Sequence, residues 1–226
     1  MKALDDAKYK NLIAYGTAGD ATSLDNMVTA LELIDKVNEK RKADGLKELV
    51  VTDTMMAMAQ ADADAYYDLN TAPKQFTVNG AKIAENLGTF ADAGKTVDNW
   101  YAEKKIADEH PDYMSYSSPS WSQVGHYFNL SSKKFTVTGA AANSRPRAGI
   151  KFCQVYFSSA NGEKTYTTAE YRQRIAEYRV LVDDRKEDLD EAKAALQEAK
   201  VRQATAQRIV NAEQQASATT TTTANA

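Results

Sequence analysis

From residue 168 to residue 215 the chain contains neither glycine nor proline, and Ala, Glu, Lys, Arg and Gln dominate. A stretch of that composition has good helix formers and no breaker, so it predicts one uninterrupted helix of roughly 70 Å at about 1.5 Å per residue. Counted by sevens, one row reads Ile175, Val182, Leu189, Leu196, Gln203, Val210, and the row three residues on reads Tyr178, Arg185, Ala192, Ala199, Ala206, Glu213. The first row is apolar except at Gln203 and the second is mostly alanine. This predicts a coiled-coil-like stripe that a partner helix approaches closely, either the lead-in segment or a second chain. The threonine tract that follows, within residues 216–226, cannot bury a core and reads as a disordered linker or stalk.

The rest of the chain alternates in a different way. Residues 1–22 form a polar lead-in, with a short helix over 4–15 broken by Gly16 and Gly19. Ser23 is placed to cap a helix that runs to Asp44 and stops at Gly45, with Met27, Ala30, Leu31, Ile34 and Val37 on one face. A second helix is expected from Thr52 to Asp68, with Met55, Met58, Ala59, Ala63 and Tyr66 inward, and a short third one surrounds Val97, Trp100 and Tyr101. Glu85 and Asn86 fall in a short loop. Beyond Pro111 a serine-rich aromatic loop covers 113–121 and leads into a strand at 124–130, where Val124 and Phe128 flank Gly-His-Tyr. Further strands are expected at 135–138 and 149–157. Helices first and strands later indicate an α+β domain, over residues 23–160, rather than a doubly wound sheet.

Net charge is -3, with both signs spread along the chain, so no basic stripe offers itself to nucleic acid. Cys153 is the single cysteine, which excludes an intrachain disulfide. It lies in an alternating segment and reads as a buried small hydrophobe rather than a catalytic thiol. No apolar run approaches the length of a membrane span. The start, Met1-Lys2-Ala3-Leu4-Asp5-Asp6, has no apolar run behind it and so no visible signal peptide. The expectation is a fragment of a longer bacterial surface protein, secreted or attached to the cell wall.

Four short segments in register carry the functional reading. They are Leu33-Ile34-Asp35-Lys36-Val37-Asn38-Glu39-Lys40-Arg41 followed by Gly45-Leu46, then Ala84-Glu85-Asn86-Leu87, then Trp100-Tyr101-Ala102-Glu103, then Val124-Gly125-His126-Tyr127-Phe128-Asn129-Leu130. Together they resemble the signature of the CAP superfamily, the cysteine-rich secretory protein, antigen 5 and pathogenesis-related group also called SCP domains, over residues 24–158. The resemblance implies a three-layer α/β/α sandwich, here with the long C-terminal helix added. It also implies that Glu85, Glu103 and His126 converge on one cleft, which in family members holds two His and two Glu and can bind a divalent metal.

This chain departs from that pattern at Asn70 in Asn70-Thr71-Ala72-Pro73, which stands where the first His would be. An amide oxygen is a weak ligand for zinc or copper. The expectation is therefore no cofactor, no tight zinc site, and at most a weak divalent cation at His126, Glu85 and Glu103, with Asn70 and Tyr127 at the cleft edge. His110, immediately before Pro111, marks a helix end. Read from the residues alone, His126 is a hydrogen-bonded structural histidine and Glu103 a solvated helix residue.

Two function classes follow. The first is an extracellular binding or adhesion module, displayed on a helical stalk and recognising a host or cell-surface protein or glycan. The second is a hydrolase, with Glu85 or Glu103 as general base and His126 positioning water or a metal. Binding is favoured, because the sequence offers no Ser-His-Asp order and no second imidazole at the expected place. Lipid or sterol carriage, as in some relatives, is a further alternative.

Overall fold

The computed structural model describes residues 11–65, 76–145 and 149–224, with side chains to residue 214. It divides into two compact units, Met1–Ala176 and Glu177–Ala226.

The first unit is built on a four-stranded mixed sheet. Its strands are β1 (Val50–Val51), β4 (Ala84–Gly88), β5 (Val137–Ala142) and β6 (Phe152–Phe157), with a separate hairpin of β2 (Thr77–Val78) and β3 (Ala81–Lys82). Across the sheet the order is β1-β5-β6-β4, and only the β1–β5 pair is parallel. One face carries α1 (Leu24–Ala43), α3 (Ala93–Ala102) and α5 (Gly125–Ser131) around Leu31, Ile34, Trp100, Leu130, Phe152 and Tyr156. The other face carries α2 (Asp53–Ala65), through Met55, Met58, Ala59 and Ala63 against Val137, Ala141, Cys153 and Val155. The lead-in, with Ile13, covers Ala57, Ala61 and Ala65 on the same helix. The layers are those of the expected α/β/α sandwich.

Local chemistry explains the boundaries. Ser23 caps α1 by accepting from Asn26 N, and Gly45, at φ +71°, takes the left-handed turn after its end. Arg41, 1 % exposed, spends its guanidinium on the carbonyls of Lys47 (2.9 Å), Leu130 (2.6 Å), Ser132 (3.1 Å) and Phe135 (3.4 Å). One buried cation thereby ties α1 to the exit of α5. Asn38 pairs with Leu49 in both directions, at 3.0 and 2.8 Å, and Val51 exchanges backbone bonds with Tyr166 at 2.7 and 2.9 Å. Gly139 lets α2 lie directly on β5, since a Cβ there would sit 2.1 Å from the Met55 carbonyl carbon.

The structure departs from expectation at several places. Residues 124–130 are not a strand: they fall in α5 and the turn before it. Glu85 and Asn86 are in strand β4, not a loop. Residues 11–15 of the expected lead-in helix are turns and irregular backbone, and its earlier part lies outside the described residues, as does Tyr66.

Helix α6 (Thr168–Ala224) begins in the first unit, where Tyr171 and Ile175 are buried and Arg174 forks onto Asp53 at 2.9 and 3.4 Å. From Glu177 to Gln214 every side chain is exposed, including Leu181, Val182, Leu189, Leu196, Ile209 and Val210. The backbone stays helical through Thr219–Thr223, where a disordered linker was expected, because extending an existing helix costs far less than starting one. Among the described residues no helix is long and apolar enough to cross a membrane.

Candidate functional site

Glu103 sits at the joint between α3 and the short helix α4 (Lys104–Glu109). Asp92 starts α3 by accepting from Lys95 N at 2.7 Å, and Trp100, 1 % exposed, anchors it to β4 by donating from Nε1 to the Leu87 carbonyl at 3.0 Å. The Glu103 carboxylate then reaches α5. Its Oε2 accepts from the backbone N–H groups of His126 (2.9 Å) and Tyr127 (3.0 Å), and its Oε1 lies 2.6 Å from His126 Nδ1. These N–H groups belong to the first turn of α5, where no intrahelical acceptor exists, so Glu103 acts as an N-terminal cap supplied from another element. The His126 ring is stacked on Trp100, with centroids 5.9 Å apart and planes at 10°. A carboxylate on Nδ1 and an indole on one face hold the imidazole in a single orientation.

Beneath it runs a buried polar network that the sequence did not disclose. Asn86 Nδ2 donates to the His126 carbonyl (3.0 Å) and to Tyr156 Oη (3.2 Å), while its Oδ1 accepts from Asn129 Nδ2 (2.9 Å). The Tyr156 hydroxyl donates to Gln154 Oε1 (2.9 Å), whose amide donates to Thr138 Oγ1 (3.1 Å). Burial pushes the Tyr156 phenol well up, so it stays a donor. On the far side of α5, Tyr127 and Tyr101 donate to Asp44 at 3.2 and 2.8 Å, and Lys104 reaches the same carboxylate at 2.5 Å. Burial, with Asp44 alongside, pushes the Tyr127 phenol up to about 12. Burial works against the charge on Asp44, but Lys104, Tyr101 and Tyr127 outweigh it and hold the carboxyl below its ordinary range.

Glu85 is elsewhere. Successive strand residues face opposite sides of a sheet. With Asn86 turned toward α5, the Glu85 carboxylate lies on the α2 face, where Cys153 Sγ donates to its Oε1 at 3.2 Å. Asp62 of α2 joins them, and one ligand atom from each of Asp62, Glu85 and Cys153 lies within 4.8 Å of the others. The structure thus brings Glu103 and His126 together, and puts Tyr127 beside them. It does not bring Glu85 to the same cleft. Asn70 lies outside the described residues. His110 caps the end of α4 and stacks on Tyr113 at 4.7 Å, consistent with its reading as a helix end.

The aromatic loop before α5 is pinned to that helix. Tyr116 packs on Phe128 (4.7 Å) and Trp121 (5.3 Å) and donates to Asn129 Oδ1 at 3.0 Å, yet it remains 60 % exposed. The result is a supported aromatic surface on α5, the helix whose first turn carries the half-exposed His126.

A family model described as the cysteine-rich secretory protein family, CAP, matches residues 34–158, more than half of the chain. The crystal structure of a cysteine-rich secretory protein from Staphylococcus aureus subsp. aureus Mu50 is similar over 58% of this chain and 38% of its own, at 14% identity and a TM-score of 0.37. The chain therefore corresponds to well under two thirds of that protein's length. A search of curated proteins gives no match.

Proposed function

This chain belongs to the CAP family of cysteine-rich secretory proteins, and within it we propose that it is a binding module of a secreted or cell-wall-attached bacterial protein. The observation that carries this reading is the separation of the two carboxylates. Glu103 is engaged by two backbone N–H groups and an imidazole, and Glu85 is engaged on the opposite face of the sheet. The two carboxylates do not form an acid–base pair, and Glu103, the one beside His126, already spends its oxygens on two backbone N–H groups and the imidazole rather than on a water. The surface proposed for recognition is the one around Tyr116, Trp121 and His126, where rigid aromatic groups meet polar edges. Such surfaces suit a cell-surface glycan or protein at small entropic cost. The apolar row on α6 would take a partner helix.

The test pairs binding with turnover. The chain applied to a glycan array and to host cells should show saturable binding that Tyr116→Ala weakens and Glu85→Gln leaves within a few-fold, while peptide and ester libraries show no hydrolysis above background. Turnover abolished by His126→Ala would refute the binding reading in favour of the hydrolase.

A further inference from the structure

We propose that Asp62, Glu85 and Cys153 form a buried site for a zinc-type divalent cation, between α2 and the sheet and separate from the Glu103–His126 pair. Donor chemistry comes first. One thiolate and two carboxylates are a donor set of the kind that zinc accepts, and they leave a fourth tetrahedral position for water or another donor.

Geometry comes second. The candidate ligand atoms already lie within 4.8 Å of one another, with Cys153 Sγ and Glu85 Oε1 at 3.2 Å. Zinc bonds of about 2.0–2.3 Å at tetrahedral angles place ligand atoms roughly 3.3–3.7 Å apart. Closing the set therefore takes side-chain adjustments of about an ångström. The elements that carry the ligands, α2, β4 and β6, are fixed by their own packing.

The independent observation is Asp62. It is 2 % exposed, and although its carboxyl hydrogen-bonds to that of Glu85, its Oδ1 is buried with no hydrogen-bond partner among the described residues. A buried carboxyl oxygen left unbonded is costly and calls for an explanation such as an ion. Its neighbours along the helix are alanines and methionines with Gln60 and Asp64 two residues to either side, so an acid facing inward gains nothing from apolar packing. Burial and the neighbouring acids push both the Asp62 carboxyl and the Cys153 thiol up, toward their protonated forms. Binding would thus replace protons with metal. Ligation by Cys153 requires the thiolate, so a dication entering displaces at least the thiol proton, which leaves to solvent.

The test uses the whole chain, stripped with chelator and titrated with cobalt(II) and then zinc. The expected result is one metal per chain, release of at least one proton read in buffers of different ionisation enthalpy, and a near-ultraviolet thiolate-to-cobalt charge-transfer band. Cys153→Ser should remove that band, Asp62→Asn should weaken binding by about tenfold or more, and His126→Ala should change neither. The cobalt band of the unsubstituted chain reads thiolate ligation directly, so the proposal stays testable if a variant fails to fold. No metal uptake, a cobalt spectrum without the charge-transfer band, or binding lost in His126→Ala but kept in Cys153→Ser would overturn it.

Discussion

Replacing Glu103 by alanine should destabilise the domain more than it disturbs any chemistry. The substitution removes the acceptor for His126 N and Tyr127 N, at 2.9 and 3.0 Å, and the partner of His126 Nδ1 at 2.6 Å. Hydrogen bonds to a charged acceptor contribute about 1.5–3 kcal/mol each when their loss leaves a group unpaired. The Glu103 side chain is 18% exposed, so water replaces part of what is lost. The expected cost is about 2–4 kcal/mol, taking one such bond in full and the others as partly replaced. Glu103→Gln keeps an acceptor for the backbone pair and should cost about half as much. Urea unfolding followed by tryptophan fluorescence measures this as a lower midpoint at unchanged slope. His126→Ala combined with Glu103→Ala should be less than additive, because both substitutions break the same contact. A Glu103→Ala midpoint shift worth less than about 0.5 kcal/mol, the range of ordinary surface substitutions, would refute the capping role.

Gly139→Ala forces a Cβ to within 2.1 Å of the Met55 backbone, and the clash should cost about 1–3 kcal/mol or more in the same urea assay. Asp44 and Asp53 both have carboxyls held below their ordinary range, against the effect of burial, by Lys104 with Tyr101 and by Arg174 with Tyr171 respectively. Their contribution to stability is therefore present above about pH 4, the range of unfolded carboxyls, and is lost as pH falls through the folded values. Asp44→Asn should flatten that acid limb in a pH series of thermal midpoints, and an unchanged limb would count against it. Leu189→Glu places a charge in the exposed apolar row of α6 and should shift sedimentation from a self-associated species to monomer. A parent chain that sediments as monomer at all concentrations would contradict a helix partner drawn from a second copy.

The parts of this fold legible in the sequence are those set by neighbours in the chain. Ser23, Gly45 and the apolar spacing between them define α1 locally, and the glycine-free, proline-free run defines most of α6. The segment around His126 misled because Val124, His126 and Phe128 fit a strand, while a short apolar run does not by itself distinguish strand from helix. What decides it is the Glu103 carboxylate arriving from 23 residues away to cap the first turn. The register of the family motifs singled out Glu103 and His126, whose Oε1 and Nδ1 lie 2.6 Å apart. It gave no sign that adjacent residues Glu85 and Asn86 would face opposite layers, since sidedness follows from strand pairing with β6. Asp62 was missed altogether. The signal available was the run of Gln60, Asp62 and Asp64 in the second half of a helix whose other residues from Met55 on are alanine and methionine, all three of them buried.

The closure of β1 has a consequence for how other molecules can engage this domain. Its outer edge offers no free backbone ladder at Leu49 or Val51, because the Asn38 amide and Tyr166 already occupy both the donors and the acceptors there. An extended peptide therefore has nowhere to dock as an added strand along that border, and fibril-like stacking through it is blocked as well. Whatever recognises the domain on that side must read side chains, not main chain.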